Sequence, residues 1–491
     1  MRVLFESKKV KIVATLGPAS ADKTTIKNII KNGANVLRLN FSHGDPVFFA
    51  KLIKNIRGIS LDAGILIDLP GPKIRTGGLS KEEIFLNKGA KIILTGKHVV
   101  SDGKTIFIDY PYLGKDIKPN SLVYIDDGKI KLKIIDKISE YELLSEVLTP
   151  GTLKPEKGVN FPDAVLSIPS VTEKDMEYLR FGAEHNVDMF AVSFVRRPED
   201  IISVKNFLKE NYPEKDFLII AKIEKLEAVR NVKKIAGVAD ALMVARGDLG
   251  VEAPVENIPI EQKNIISVAG FYKKPVVTAT QMLLSMVENE SPTRAEVTDV
   301  SNAIFDGTDS VMLSEETAIG KHPVLTVRYM SKIITATENS GIFNKINRGL
   351  NNHCGSDGND KDRKSIADVS SIIAKTAVAA SKLLGGSVIV AITRSGYTAN
   401  LISSLKPYAP ILAVVPNERV KRKLSLNYGV TCIVMEGIAD ETINLKDVIN
   451  LTKNRFANIG KNKSPNYAIL TGGVPIGEPG STDFIKIIKI K

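Results

Sequence analysis

The chain has 491 residues, 43% of them hydrophobic and 25% charged, the balance of a folded globular protein with room for about three domains. Its net charge of +12 comes from lysines scattered without a run of five basic residues; with no tryptophan and no reader motif, no nucleic-acid partner is expected. No apolar stretch reaches ~18 residues, the start does not resemble a signal peptide, and Cys354 and Cys432 lack metal-ligand spacing, so no membrane partner and a reducing cytoplasm are expected.

Short apolar runs rich in Val, Ile and Ala recur, each ending in polar residues or glycine and followed by a helix-like segment. In order the predicted strands are Lys11 to Gly17, Asn35 to Ser42, Gly64 to Gly71, Met189 to Arg196, Leu218 to Glu224, Ala241 to Asp248, Val276 to Gln281 and Ser310 to Glu316. Continuous apolar runs separated by helices signal parallel strands covered on both faces. Eight of them predict an α/β fold, a (β/α)8 TIM barrel with its site at the carboxyl ends of the strands. Arg38, Asn40, Asp68, Lys222, Glu224, Asp248, Thr280 and Glu316 stand at those ends. Turn and cap duty would account for the acidic and hydroxyl members, but lysine and arginine are poor helix caps.

About 115 residues separate the third and fourth predicted strands. This interval has shorter, alternating runs, such as Ala90 to Thr95 and Ser121 to Ile135 around Asp127-Gly128, which predict a hairpin within an inserted β domain. An insertion there stands over the barrel mouth, where it can act as a lid. A polar stretch from Asn351 to Arg363 reads as a linker, and alternating patterns then return with predicted strands at Ser387 to Thr393, Ile411 to Val415, Cys432 to Met435 and Tyr467 to Thr471. The expected organisation is a catalytic barrel over 1–72 and 161–338, and a small β-barrel-like lid over 73–160. A linker over 339–363 and a C-terminal open α/β regulatory domain over 364–491 complete it.

Lys222 and Glu224 alternate at a strand end and so share a face; a salt bridge is the plain alternative to a site where phosphate and metal meet. Asp248, in Ala245-Arg-Gly-Asp-Leu-Gly250, offers a second carboxylate, and two carboxylates with water and substrate oxygens suit magnesium. Gly247 lets backbone come close to an anion, while Arg38, Arg75 and Arg197 are candidates for bidentate phosphate contacts. No GxxxxGK[ST] motif occurs, so the usual P-loop kinase is excluded.

The blocks Arg38-Leu-Asn-Phe-Ser-His-Gly44, Gly71-Pro-Lys-Ile-Arg-Thr-Gly77, Lys222-Ile-Glu224, Val244-Ala-Arg-Gly-Asp-Leu-Gly250, Ala279-Thr-Gln-Met282 and Pro292-Thr-Arg-Ala-Glu296 resemble, in order, the signatures of the pyruvate kinase family. The resemblance implies transfer of phosphate from phosphoenolpyruvate to ADP with Mg2+, for which Mn2+ can substitute. It implies that Lys222 stabilises the transferring group, that Glu224 and Asp248 hold the metal, and that Arg38, Gly247, Asp248 and Thr280 meet phosphoenolpyruvate. Asn40, Phe41, Ser42, His43, Arg75 and Arg197 would meet the nucleotide, and Thr280, Ser314 and Glu316 would order the water that protonates enolpyruvate. Asn40, Ser42, Asp68 and the Leu69 carbonyl match a monovalent-cation site. Lys73 replaces the family's usual glutamate there, as in potassium-independent members, so K+ is not expected to be required. A homotetramer is implied, and Thr393, Arg394, Ser395, Gly396, Tyr397 and Thr398 form a strand-to-helix loop expected to take a phosphorylated allosteric effector. Leu69, Pro70, Lys73, Glu315 and Arg197 depart from the common pattern. A magnesium-dependent aldolase and a catalytically inactive regulatory or RNA-binding relative are the rival readings; the first leaves the inserted lid unexplained, and the second lacks a lost catalytic residue.

Overall fold

The computed structural model describes residues 8–162, 164–343, 368–438, 444–457, 464–473 and 482–490. From residue 344 onward the expected linker lies outside them.

Eight parallel strands close a barrel in simple sequential order: Lys11–Leu16, Val36–Asn40, Gly64–Asp68, Met189–Val192, Leu218–Ile223, Ala241–Ala245, Val276–Ala279 and Ser310–Leu313. All eight predicted runs are therefore barrel strands. The first pairs with the last, Lys11 opposite Ser310, and the third pairs with the fourth although the lid separates them in sequence. The physical reason for the unbroken apolar runs is two-sided burial. Along the first strand Ile12, Ala14 and Leu16 face the surrounding helices, while Val13 joins Val36, Leu66, Ile220, Met243 and Val277 inside the barrel. Leu426 of the C-terminal domain belongs to that interior cluster, and Ser310 Oγ donates to its carbonyl at 2.8 Å, so this domain stoppers the amino end of the barrel.

The inserted segment forms an open six-stranded sheet and a separate two-stranded ladder. Its central hairpin runs Leu122–Ile125 to Ile130–Lys137 through Asp126, Asp127 and Gly128, all at positive φ, which explains the Asp-Gly signal. Ile130, Leu132 and Ile134 are buried while Lys131, Lys133 and Ile135 are exposed, the period-two pattern of a sheet with one wet face. The barrel-like expectation takes the form of this sheet, irregular in register at Lys131/Leu132 and Ile134/Asp136.

The C-terminal domain has parallel strands Ser387–Ile392, Ile411–Val415, Val430–Val434 and Tyr467–Gly472, with Phe484–Lys489 added antiparallel at one edge. That last strand was not expected from sequence, because Phe484 to Lys489 mixes lysines with isoleucines and leaves Lys486 and Ile487 exposed.

Candidate active site

The carboxyl ends of neighbouring strands converge on a buried charge cluster. Lys222 Nζ lies 3.0 Å from Asp68 Oδ1 and 2.7 Å from Glu224 Oε1, and it donates to Ser193 Oγ at 2.6 Å. Asp68 is shared: its Oδ2 receives Arg38 Nε at 2.7 Å and Nη2 at 2.6 Å, while Arg38 Nη1 donates to Thr15 Oγ1 at 2.9 Å. Burial alone would lower the Lys222 pKa, but Asp68 and Glu224 overcome it and raise the pKa above the usual lysine value. Burial likewise opposes ionisation of Asp68, yet Lys222 and Arg38 hold its carboxyl below the ordinary range. Lys222 is therefore cationic here, and its ammonium and the Arg38 guanidinium are already oriented by these contacts, as a site for an anion requires.

Glu224 accepts the Phe194 N–H at 2.7 Å, and Phe194 adopts φ +53, a left-handed turn that aims this amide. Burial raises the Glu224 pKa, Lys222 opposes that shift, and Asp248 raises it further. Glu224 and the exposed Asp248 thus act on each other across the strand ends. Two hard carboxylates repelling one another fit magnesium, which takes a few protein oxygens and keeps its waters. Among the described residues no group of three or more His, Cys, Asp or Glu side chains that could hold a metal occurs.

Thr280 follows the seventh strand at φ +71 with Gln281 at φ +52, unusual for a β-branched residue. Its Oγ1 accepts the Gly247 N–H at 2.7 Å and lies 2.6 Å from the Ala279 carbonyl. Arg246, which sequence reasoning passed over, pins this turn by donating to the Ala279 and Thr280 carbonyls at 3.2 and 2.7 Å while pairing with Asp299 at 2.7 Å. Glu316 is buried with both oxygens taking backbone amides, Leu283 N–H at 3.1 Å and Ser314 N–H at 2.7 Å, and burial raises its pKa. The Ser314 hydroxyl is buried without a protein partner.

Between lid and barrel lies a cleft of about 450 Å³, lined among others by Lys73, Arg75, Asp126 of the lid hairpin, Lys157 and Asp248. Arg75 Nη1 donates to the Glu156 carbonyl at 2.8 Å. Lys73 is exposed on the wall, yet desolvation lowers its pKa, as do Lys222 and Arg75, with Asp248 and Asp68 opposing. His43 stands close by: desolvation, Lys73, Arg75 and Arg38 lower its pKa. Asn40 Oδ1 accepts the Ser42 N–H at 3.2 Å. The Leu69 N–H donates to the Ala191 carbonyl at 3.0 Å and its side chain is buried.

Two expected side chains turn elsewhere. Phe41 is buried, stacked on Phe49 at 4.2 Å and edge-on to Tyr178 at 4.7 Å, so its ring belongs to the core. Arg197 precedes the helix Pro198–Asn211 with its side chain 61% exposed, whereas its neighbour Arg196 faces the cleft. Ser193, Phe194 and Arg196 were also passed over: within a strand-end run they look like ordinary turn residues.

The far loop is built as its sequence implies. Gly396 at φ +96 caps the helix Tyr397–Ser404, and Thr393 Oγ1 accepts its N–H at 3.0 Å. Arg394 and Ser395 are exposed, while Thr398 is buried with its hydroxyl 2.8 Å from that of Thr482.

Residues 7–327 match the family described as "Pyruvate kinase, barrel domain" and residues 371–488 the one described as "Pyruvate kinase, alpha/beta domain". The chain belongs to the pyruvate kinase family. A pyruvate kinase of Thermococcus litoralis is 41% identical over 99% of both chains, and one of Clostridium perfringens is 40% identical over 98% of this chain and all of that one. A crystal structure of a pyruvate kinase from Cryptosporidium parvum superposes with a TM-score of 0.90 at 32% identity, covering 99% of this chain and 97% of that one. The inserted lid and the C-terminal domain thus belong to the family architecture, and the aldolase reading falls away. Among the described residues no helix is long and apolar enough to cross a membrane.

Proposed function

We propose a division of labour among these residues for the pyruvate kinase reaction, in which the phosphoryl group of phosphoenolpyruvate passes to ADP to give pyruvate and ATP. The P–O bond to the enol oxygen breaks, a bond to the terminal phosphate of ADP forms, and the enolate gains a proton at carbon. The observation that carries the reading is the Lys222 ammonium, held by Asp68, Ser193 and Glu224 at the barrel mouth. In a loose transition state charge spreads over the equatorial phosphoryl oxygens, and a fixed cation there lowers the barrier without reorganising. Arg38, Gly247 and Thr280 orient phosphoenolpyruvate. A magnesium ion held by Glu224 and Asp248 would offset the negative charge of the substrate. Arg75 faces ADP from the cleft wall, and Asn40, Ser42 and His43 meet it from the end of the second barrel strand, with Phe41 contributing backbone only; Arg197 would reach it only by turning in from the surface. The unpartnered Ser314 hydroxyl, with Thr280, supports an ordered water that delivers the proton; Glu316, whose oxygens are occupied by amides, fixes that turn.

Lys222→Met should abolish transfer while leaving the fold intact, since losing a charge aimed at the transition state costs roughly 3 kcal/mol or more. A coupled assay with and without magnesium measures it. Turnover above about a tenth of wild type, equivalent to less than ~1.4 kcal/mol, would refute the role.

The same reading includes a homotetramer, a cytoplasmic setting, independence from K+, and a phosphorylated effector at Thr393 to Thr398. Exposed Arg394 and Ser395 beside the Gly396 turn support the last. Sugar phosphates, phosphoglycerate and AMP that leave the phosphoenolpyruvate saturation curve unmoved would count against it.

A further inference from the structure

The turn after the fourth barrel strand touches three parts of the molecule at once. Ser193 Oγ receives Lys222 at 2.6 Å, and the Phe194 N–H reaches Glu224 at 2.7 Å. Two residues on, Arg196 grips the segment that brings the chain back from the lid. Its Nη1 donates to the Leu166 carbonyl at 2.5 Å, its Nη2 to the Ile168 carbonyl at 2.8 Å, and its Nε to Ser170 Oγ at 3.0 Å. Three of the five guanidinium N–H groups are spent on one short stretch of chain. The backbone of Arg196 is itself fixed, its N–H donating to Asp200 at 2.8 Å and its carbonyl accepting from Asn231 at 3.0 Å. The residue is only 9% exposed and still lines the cleft.

The gripped segment is tied equally firmly to the lid. The Ser167 N–H and hydroxyl donate to Asp116 at 2.6 and 2.8 Å, and Tyr110 bonds the same carboxylate. Residues 166–170 are thus pinned to lid and barrel together. A swing of the lid must either break the arginine contacts or drag the turn that places the Phe194 amide.

We propose that Arg196 is a positioning residue that links the pose of the lid to the placement of Glu224 and Lys222, through the rigid turn Ser193 to Arg196. The proposal rests on the cleft being the nucleotide's site: a lid closing on ADP then sets the phosphoryl-transfer groups as it closes. A purely structural arginine would weaken the fold and affect both substrates alike.

Full-length Arg196→Lys and Ser170→Ala test it. Lysine is a point donor and cannot span the three acceptors, while the alanine removes one of them. Hydrogen exchange at the amides of 164–168 is measured without substrates, with kcat and both KM values alongside. In Arg196→Lys exchange there should quicken roughly tenfold with the barrel strands unchanged. The KM for ADP should rise about fivefold or more and kcat fall, with the KM for phosphoenolpyruvate within about twofold. Ser170→Ala should move the same way by less, and it decides the matter alone if Arg196→Lys does not fold. Unchanged exchange, unchanged kinetics, or an equal rise in both KM values would overturn the proposal. Arg75→Ala is the control: an unmoved ADP KM there faults the nucleotide reading, while the exchange data judge the clasp by themselves.

Discussion

At the scale of single residues, Lys73 is one of the departures from the pattern that the sequence resembles. Its ammonium is coupled to Asp68, Asp248, Lys222 and Arg75, so it acts on the site rather than on solvent alone. Replacing a glutamate by lysine alters the local charge by two units, and on the proposed reading a tethered ammonium would supply what a bound K+ supplies elsewhere. At ~6 Å and an effective dielectric of ~20, the repulsion of a second cation is roughly 3 kcal/mol, an upper figure for a side chain this open to solvent. Activity in tetramethylammonium buffer should therefore be full, and Lys73→Glu should create a K+ requirement. A tenfold rise on adding K+ to the wild type, at matched ionic strength, would sink this reading.

At the scale of elements, Gly247 is the second residue of the helix Arg246–Glu252, which follows directly on a barrel strand. A Cβ built there would meet Thr280 atoms no closer than 3.5 Å, an ordinary contact, so the protein itself leaves room for alanine. Helix propensity even favours the change by up to ~1 kcal/mol. Gly247→Ala should then match or exceed the wild type in thermal midpoint while kcat/KM for phosphoenolpyruvate drops about tenfold, because the added methyl stands where the anion approaches. Undiminished kcat/KM would mean that no ligand comes to this amide. Legibility followed the same division. The barrel strands could be read because burial on both faces writes unbroken apolar runs, and the lid hairpin because Asp127 and Gly128 need positive φ. Asp68 could be placed at a strand end but not identified as the shared partner of Arg38 and Lys222, since closure of a barrel, not spacing, brings residues 38, 68 and 222 together. Arg196 and Arg197 are chemically identical neighbours, and only the course of the turn decides which one enters the cleft.

At the scale of the whole molecule, the C-terminal domain is keyed to the barrel by charge. Asp188, buried, takes Arg57 Nη2 at 2.6 Å from the barrel and Arg422 Nε at 2.7 Å from the other domain, as well as the Ile65 N–H at 2.9 Å. Around it lie Lys421 with Asp62 at 2.6 Å and Lys423 with Asp216, both pairs having an exposed carboxylate. Magnitudes separate the two kinds of contact. Asp188→Asn strands two guanidinium groups against a neutral amide and should cost about 3–5 kcal/mol. Lys423→Ala should cost about 0–1 kcal/mol. Chemical unfolding would measure both, and equal losses would show that burial does not govern this interface.

The pairing of Lys11 with Ser310 also sets a clock on synthesis. No ribosome can offer the first strand its final neighbour until roughly 300 further residues exist, which takes about 15–60 s at ~5–20 residues per second. Through that interval Lys11–Leu16, all of whose residues end up buried, has one edge without its native partner. The nascent chain must therefore be sheltered, by its own early strands or by a chaperone, for far longer than any helix in it needs to form.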